Sequence, residues 1–216
     1  MERFFIIDGF NTWYDWRSIL TAKDVTPPDP KTNLVALDGM SGTLDLTEAL
    51  TGDVPYNDRT VTASFLTDHS NRTERERMLR RIISTIHGRR VKLVEPDDPD
   101  HYFLGRVKVK VEKSLLSHME YSIEATCEPW RYTHEESVRR EEIAGARDIV
   151  ITNDGVKTLC PTVTVSGSVA LTFKDGAVSL TAGTYVVSDL KLYRGENVIR
   201  ATGNGVVTFT YREADL

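Results

Sequence analysis

The sequence predicts a mainly β protein with two domains. It has 216 residues, of which 40 % are hydrophobic, and this is enough apolar material for one large core or two small ones. Segments with strand-like alternation or many β-forming residues recur along the chain, and one segment stands out with the period of a helix. A charged stretch without apolar periodicity separates two regions of different composition. These observations predict two β-rich domains joined by a linker.

Three segments of the first region predict half-buried strands. Residues 61–65 alternate in polarity, and residues 106–111 place three valines on one face and two lysines on the other. Residues 121–126 repeat this pattern. Alternation of this kind is typical of a strand with one face in the core and the other in water.

Residues 72–87 predict an α-helix. Asn71 is suited to cap it, and Glu74 stands three residues later, as in a capping box. Gly88 follows as a stop signal. Five apolar residues recur at helical spacing and form one stripe: Met78, Leu79, Ile82, Ile83 and Ile86. The arginines fall largely on other sides, where they either face solvent or contact a neighbouring subunit.

Residues 133–146 interrupt the strand pattern with dense charge, and we interpret them as a linker. This interpretation gives a first domain over residues 1–132 and a second over residues 147–216. The second domain is rich in Thr, Val, Ser and Gly, and seven or eight short strands are expected in it. Asp175-Gly176 and Asn204-Gly205 are typical of two-residue hairpin turns. A small β-sandwich or jelly roll without a helix is therefore expected.

Charge and composition exclude several classes of protein. The net charge is −5, whereas a protein that holds nucleic acid usually carries a clustered basic patch. No stretch approaches the roughly 20 apolar residues of a membrane span, and no signal peptide is recognisable. The two cysteines are too few for a disulfide framework and predict reduced thiols.

The chain shows no constellation of residues typical of an enzyme. Residues 95–101 contain four carboxylates and a histidine, but the prolines and aspartates favour a turn over an acid–base or calcium site. The histidines lack metal-ligand spacing, and no nucleophile elbow or phosphate-binding loop is present. We therefore predict no catalytic residues, no metal ligands and no cofactor.

Several segments, taken in order, resemble the distal tail proteins of long-tailed phages and prophages, which are the tail-tip hub proteins of siphophages. The stretch Asp-Gly-Met-Ser-Gly-Thr-Leu-Asp-Leu at residues 38–46 resembles the family's D-G-x-x-G-x-x-D-L stretch. The stretch Cys-Glu-Pro-Trp-Arg-Tyr at residues 127–132 resembles the C-x-P-[YW] close of its first domain. Further segments match in order: 54–59, 91–94, 102–106, 153–155, 161–165, 195–199 and 207–211.

The resemblance implies a fold and a role. The first domain is expected to be a β-sandwich with one helix, which closes as a homohexameric ring at the end of a non-contractile tail. The second is expected to be a galectin-like jelly roll outside the ring. The expected partners are the tail tube protein and tail-tip or receptor-binding proteins, and DNA passes through the ring without specific binding. The expected location is the virion tail tip, after synthesis in the bacterial cytoplasm.

The ring is expected to depend on the first domain, where two candidate contacts stand out. Unpaired sheet edges favour association, and a head-to-tail contact stops growing only if it closes. The candidate interface residues belong to the N-terminal strand and to the helix: Phe4, Phe5, Trp13, Trp16, Arg72, Arg75, Arg77, Arg80 and Arg81.

Two alternatives to a structural hub stay open at this point. A carbohydrate-binding adhesin module would need exposed aromatics in the second domain, but its five aromatics lie in alternating strands typical of a core. A wall hydrolase would need converging carboxylates or a metal site.

Overall fold

The computed structural model describes residues 4–49, 52–67, 71–114 and 118–216. The strands are β1 (Ile6–Ile7), β2 (Phe10–Asn11), β3 (Ser18–Val25), β4 (Leu34–Ala36), β5 (Thr43–Asp45), β6 (Arg59–Thr67), β7 (Arg90–Glu95), β8 (Asp98–Ser114), β9 (Met119–Thr133), β10 (Ser137–Asn153), β11 (Thr162–Phe173), β12 (Gly176–Leu180), β13 (Gly183–Val186), β14 (Gly195–Tyr211) and β15 (Ala214–Asp215). Helix α1 spans Arg72–Ile86. The predicted fold class, mainly β with one short helix, is confirmed for these residues.

The chain forms two compact units. The first comprises Met1–Arg131 with Leu216, and the second comprises Tyr132–Asp215. Each unit has its own core of buried apolar side chains.

The first unit is a curled antiparallel sheet in the strand order β2-β1-β7-β8-β9-β6-β3. The predicted strands at 61–65, 106–111 and 121–126 lie within β6, β8 and β9. Inward positions of β6 and β9 meet in the core, where Phe65 stacks on Tyr121 with ring centroids 5.2 Å apart. Lys23 of β3 forms ion pairs with Glu95 and Asp97 at the end of β7. The sheet therefore curls far enough for distant strands to face each other.

Helix α1 begins and ends close to the predicted positions. The side chain of Asn71 accepts a hydrogen bond from the backbone N–H of Thr73 at 2.9 Å, as expected for an N-cap. The helix ends at Ile86, one residue earlier than expected, because His87 adopts an extended conformation. The apolar stripe faces the core of the unit as predicted, with Leu79, Ile82 and Ile86 buried and Met78 and Ile83 packed against them.

The acidic stretch at 95–101 contains the predicted turn, but the turn is shorter than expected. It occupies Pro96 and Asp97, and β8 already starts at Asp98. The carboxylate of Asp98 contacts His101 Nδ1 at 2.7 Å and Arg131 at 2.9 Å. These side chains therefore hold the start of β8 against the end of β9.

A long excursion separates β3 from β6. Pro30 and Tyr56 form a bridge at its base, and Tyr56 packs edge-on against Trp130 at 5.6 Å. Beyond this base, β4 and β5 pair with each other in a two-stranded sheet. We call residues 31–49 the arm.

The second unit contains one antiparallel sheet in the order β10-β14-β11-β12, and β13 pairs with β11. The prediction of a linker over residues 133–146 is wrong, because β10 begins at Ser137 and pairs with β14 along all 17 of its residues. Ile143, Ile149 and Ile151 point into the core at alternate positions. All charged side chains of this strand except Glu141 are exposed, and their density concealed this alternation.

The prediction of a hairpin at Asn204-Gly205 is also wrong. Strand β14 runs through both residues, with Gly203 opposite Gly145 of β10 and Gly205 opposite Gly167 of β11. A Cβ atom on Gly205 would lie 2.0 Å from the carbonyl oxygen of Ser166. Glycine is therefore required, and these four glycines, which we call the glycine row, let three long strands curl around the core.

The remaining hairpin prediction for this unit is close to the structure. Phe173 pairs with Gly176, so the turn contains Lys174 and Asp175, one residue before the predicted position. Because strands merge across the glycine row, the unit has fewer and longer strands than the seven or eight expected.

Candidate functional site

No metal or catalytic centre is evident in the described part of the chain. No group of three or more His, Cys, Asp or Glu side chains there could hold a metal ion. The described helix is not long and apolar enough to cross a membrane. An open groove on the first unit is lined by side chains of both signs, and two of them, Arg90 and Glu128, pair with each other.

The N-terminal aromatic residues divide into a buried pair and an exposed group. Phe5 and Trp16 have no exposed surface, and Trp16 stacks on Phe10 at 5.8 Å. Their side chains are part of the core, so we withdraw them as interface candidates. Phe4 and Trp13 are partly exposed and keep that role.

The exposed aromatic residues form a small patch next to an arginine. Tyr14 is 72 % exposed and lies 6.4 Å from Phe4 between ring centroids. The guanidinium of Arg17 lies 5.9 Å from the ring centroid of Trp13. Aromatic side chains and arginine are enriched in the central contacts of protein interfaces.

The helix arginines also divide into two groups. Arg75 is buried with 2 % exposure, because its position falls on the same side as Leu79, Ile82 and Ile86; it too is withdrawn as an interface candidate. The other four are exposed, and none of them forms an ion pair with a residue that the structure describes: Arg72, Arg77, Arg80 and Arg81. Arg77, Arg80 and Arg81 share the side of the helix away from the buried residues, and we call these three the arginine face.

The arm is a candidate surface that sequence reasoning missed. Four of its large apolar side chains are exposed, at 55 % for Leu34, 47 % for Leu37, 48 % for Met40 and 40 % for Leu44. A signal was present, since residues 31–49 combine six apolar residues larger than alanine with two glycines and three carboxylates.

The second unit offers little surface for stacking on a sugar. Phe209 is fully buried, and Phe173, Tyr185 and Tyr211 pack against the same core. The hydroxyl of Tyr193 donates a hydrogen bond to Asp175 at 2.8 Å, and Lys174 lies over its ring. The aromatics of this unit are therefore engaged within it, and the observations do not favour the adhesin alternative.

The edge strand β10 of the second sheet carries exposed charged side chains. Strand β10 pairs with β14 on one side, and its exposed residues include Arg139, Arg140 and Glu142. Glu141 points inward and accepts from Arg139 at 2.6 Å and from Arg147 at 3.1 Å. Charged side chains on an edge strand, inward-pointing ones included, discourage pairing with another chain. Assembly is therefore more readily explained by the first unit than by this edge.

Comparison with known proteins supports the fold. No protein-family model matches the chain, and no curated protein matches it in sequence. The fold is similar to the crystal structure of the Dit protein (gp 19.1) of SPP1, described as a paradigm of the hub adsorption apparatus in phages that infect Gram-positive bacteria. The TM-score is 0.72 at 13 % sequence identity, and the match covers 99 % of each chain. The fold that the sequence resemblance implied is thereby confirmed over nearly the whole chain.

Proposed function

We propose that this protein is a structural component of a phage tail tip. Six copies close as a ring at the distal end of a long non-contractile tail and join the tail tube protein to tail-tip or receptor-binding proteins. DNA passes through the ring without specific binding, and the protein needs no cofactor. It is made in the cytoplasm of the bacterial host and ends in the virion.

The observation that carries this proposal is the full-length likeness in fold to a phage hub protein. Fold alone does not determine function, so the surfaces of the chain matter as well. The arm and the arginine face are both exposed, and they suit contacts between copies. Neither surface contains a group of residues that suggests catalysis.

A closed ring also fits the physics of the contact. Two different surfaces on one chain produce a head-to-tail contact, which either closes or grows as an open filament. A stable contact of this kind typically buries more than about 1,000 Å². Exposed leucines and long arginine side chains contribute apolar area to such a contact.

The mass in solution tests the ring. Light scattering during size-exclusion chromatography should give a mass of roughly 146 kDa, which is six times the chain mass of 24.3 kDa. Images of the same sample should show rings with six-fold symmetry. A chain that stays monomeric at high concentration, or a stable two-fold dimer, would overturn the proposed ring.

The location is tested on virions from the phage that encodes the chain. Antibodies against the purified protein, visualised with gold particles, should label the tail end farthest from the capsid. Label along the tail shaft, on the capsid or nowhere on the particle would contradict a role at the tail tip.

A further inference from the structure

We propose that the arm of one copy binds the arginine face of the next copy. This inference rests on the proposed ring and names the two surfaces that form its contact. The arm consists of residues 31–49, and the arginine face consists of Arg77, Arg80 and Arg81.

The arm has the composition of a segment that is completed by a partner. A two-stranded hairpin is at best marginally stable on its own in water, and the side chains of β4 and β5 are almost entirely exposed. Leu34, Leu37, Met40 and Leu44 are all exposed, with Leu34 opposite Asp45 on one face of the hairpin and Leu44 opposite Val35 on the other. A partner that covers these four side chains would remove them from water.

The arm also carries a net negative charge, which restricts the kind of surface that it can bind. It contains Asp38, Asp45 and Glu48 against Lys31, so three negative charges and one positive charge give −2. A basic surface with apolar character is therefore the matching partner.

The arginine face has this character. Helix α1 contains five arginines and two glutamates, which gives +3. Arg77, Arg80 and Arg81 stand at spacings of three and four residues and therefore share one side of the helix, away from the buried stripe. The aliphatic stems of arginine cover apolar groups while the guanidinium groups pair with carboxylates. Leucines and acidic residues of the arm suit both parts of these side chains.

The exposure of the two surfaces points to a contact between copies. Leu34, Leu37, Met40 and Leu44 of the arm are exposed within the single chain, and so are the arginines of the face. Neither surface is therefore covered by the other within one copy. An arm that binds the arginine face of a neighbour therefore makes a head-to-tail contact.

Two variants separate the two sides of this contact. Leu34→Ser with Leu37→Ser and Leu44→Ser removes apolar side chains from the arm, and Arg80→Glu with Arg81→Glu reverses charges on the face. Each variant alone should be a monomer of 24.3 kDa. An equimolar mixture has one intact arm and one intact face for each pair of chains, so it should form dimers of roughly 49 kDa and nothing larger.

Matched controls use exposed residues of the second unit. Val150→Ser with Val186→Ser and Val198→Ser removes the same kind of side chain, and Arg140→Glu with Arg194→Glu reverses the same number of charges. Both controls should assemble like the parent chain. All variants should keep the far-ultraviolet circular dichroism of the parent, because the changed side chains are exposed.

The outcomes distinguish this contact from the ring itself. If the parent forms a ring and either the arm or the face variant does too, the proposed contact is wrong and the ring stands. If both variants are monomeric but their mixture is as well, the arm and the face do not bind each other. If the parent is a dimer, both variants are monomers and their mixture forms dimers again, then the contact stands and the ring is wrong. A parent that stays monomeric at high concentration contradicts both.

Discussion

The carboxylate of Glu141 accepts from the guanidinium of Arg147 at 3.1 Å, across Gly145 in the same strand. Arg139 contacts the other carboxylate oxygen at 2.6 Å. The three side chains therefore link residues of β10 that lie on either side of Gly145, a member of the glycine row. Glu141 has only 8 % exposure, so its charge is shielded from water better than that of most surface carboxylates.

Glu141→Gln should lower the free energy of unfolding by about 1–2 kcal/mol, because two charge-assisted contacts to a nearly buried group are lost. Urea unfolding followed by circular dichroism measures the change. Glu142→Gln, at the exposed neighbouring position, is the control and should change stability by less than about 0.5 kcal/mol. Equal effects of the two substitutions would show that the ion pairs do not stabilise the strand.

Gly205→Ala should destabilise the second unit by at least about 2 kcal/mol. The added Cβ atom would lie 2.0 Å from the carbonyl oxygen of Ser166, and φ at this residue is 151°. The backbone of two strands must therefore separate, which also weakens their hydrogen bonds. Gly176→Ala is the matched control, because its Cβ would meet only the ring of Phe173 at 3.5 Å. Similar melting temperatures for both variants would contradict a steric role for the glycine row.

Limited proteolysis with thermolysin should cut the chain first in the arm. Leu34, Leu37 and Leu44 are exposed there, and one short hairpin holds the segment. Residues 137–146 should resist, because they are paired with β14. Mass spectrometry of early fragments locates the cut. A first cut between 137 and 146 would show that β10 is not stably paired.

The two thiols should differ sharply in reactivity. Cys127 is buried, and burial raises the pKa of its thiol to about 12, so almost no thiolate is present at neutral pH. Cys160 is exposed. A colorimetric thiol reagent should therefore label one cysteine per native chain and two in denaturant. Cys160→Ser should leave no fast-reacting thiol, and a fast-reacting Cys127 would contradict its burial.

Stability should decline in alkali partly because of Cys127. The unfolded thiol ionises near pH 9, whereas burial raises its folded pKa to about 12. The buried thiol therefore contributes fully to the free energy of unfolding below pH 9. This contribution is lost as the pH rises from 9 to about 12, by up to about 1.4 kcal/mol per pH unit. Burial also raises the pKa of Tyr121, which acts in the same direction at higher pH.

Cys127→Ala isolates this contribution. The variant should lose less stability between pH 9 and pH 10 than the parent, whatever its stability at pH 7. Denaturant unfolding at several pH values gives the slope of the unfolding free energy against pH for the parent and for the variant. Identical slopes would show that the thiol ionises alike in the folded and unfolded chain.

Local signals predicted the helix well. Asn71 caps it, and Leu79, Ile82 and Ile86 face the core, because capping and helical periodicity depend on residues within one or two turns. The burial of Arg75 was not predicted, although its spacing from Leu79 and Ile82 places it on the same side. The charge of Arg75 suggested an exposed side chain, and only the tertiary packing shows that it is buried.

The errors in the second unit arise from long-range pairing. Asn204-Gly205 is a strong local turn signal, but Gly167 and Ser166 on another strand determine what these residues do. The register between β11 and β14 links residues about 40 positions apart, and no local pattern contains it. The alternation of Ile143, Ile149 and Ile151 could have identified β10 despite its charges.

The candidate surfaces were predicted in part. The exposed arginines of α1 were expected, whereas Phe5 and Trp16 proved to be core residues. Aromatic residues near a chain terminus suit a core and an interface equally well, so composition could not separate the two roles. The arm was missed because Leu34, Leu37, Met40 and Leu44 stand at spacings of three and four residues, which show no strand-like alternation although β4 and β5 pair there.

The pairing of β10 with β14 also affects how the chain folds during its synthesis. About 40 residues separate the end of β10 from the start of β14. At typical rates of translation, β14 is therefore made roughly 2–8 s after β10. During this interval a 17-residue strand has no partner and is exposed to other nascent chains. The charges of Arg139, Arg140 and Glu142 keep such a strand soluble and disfavour pairing with a second copy. The same charges that resemble a linker in the sequence thus protect the strand until its partner is made.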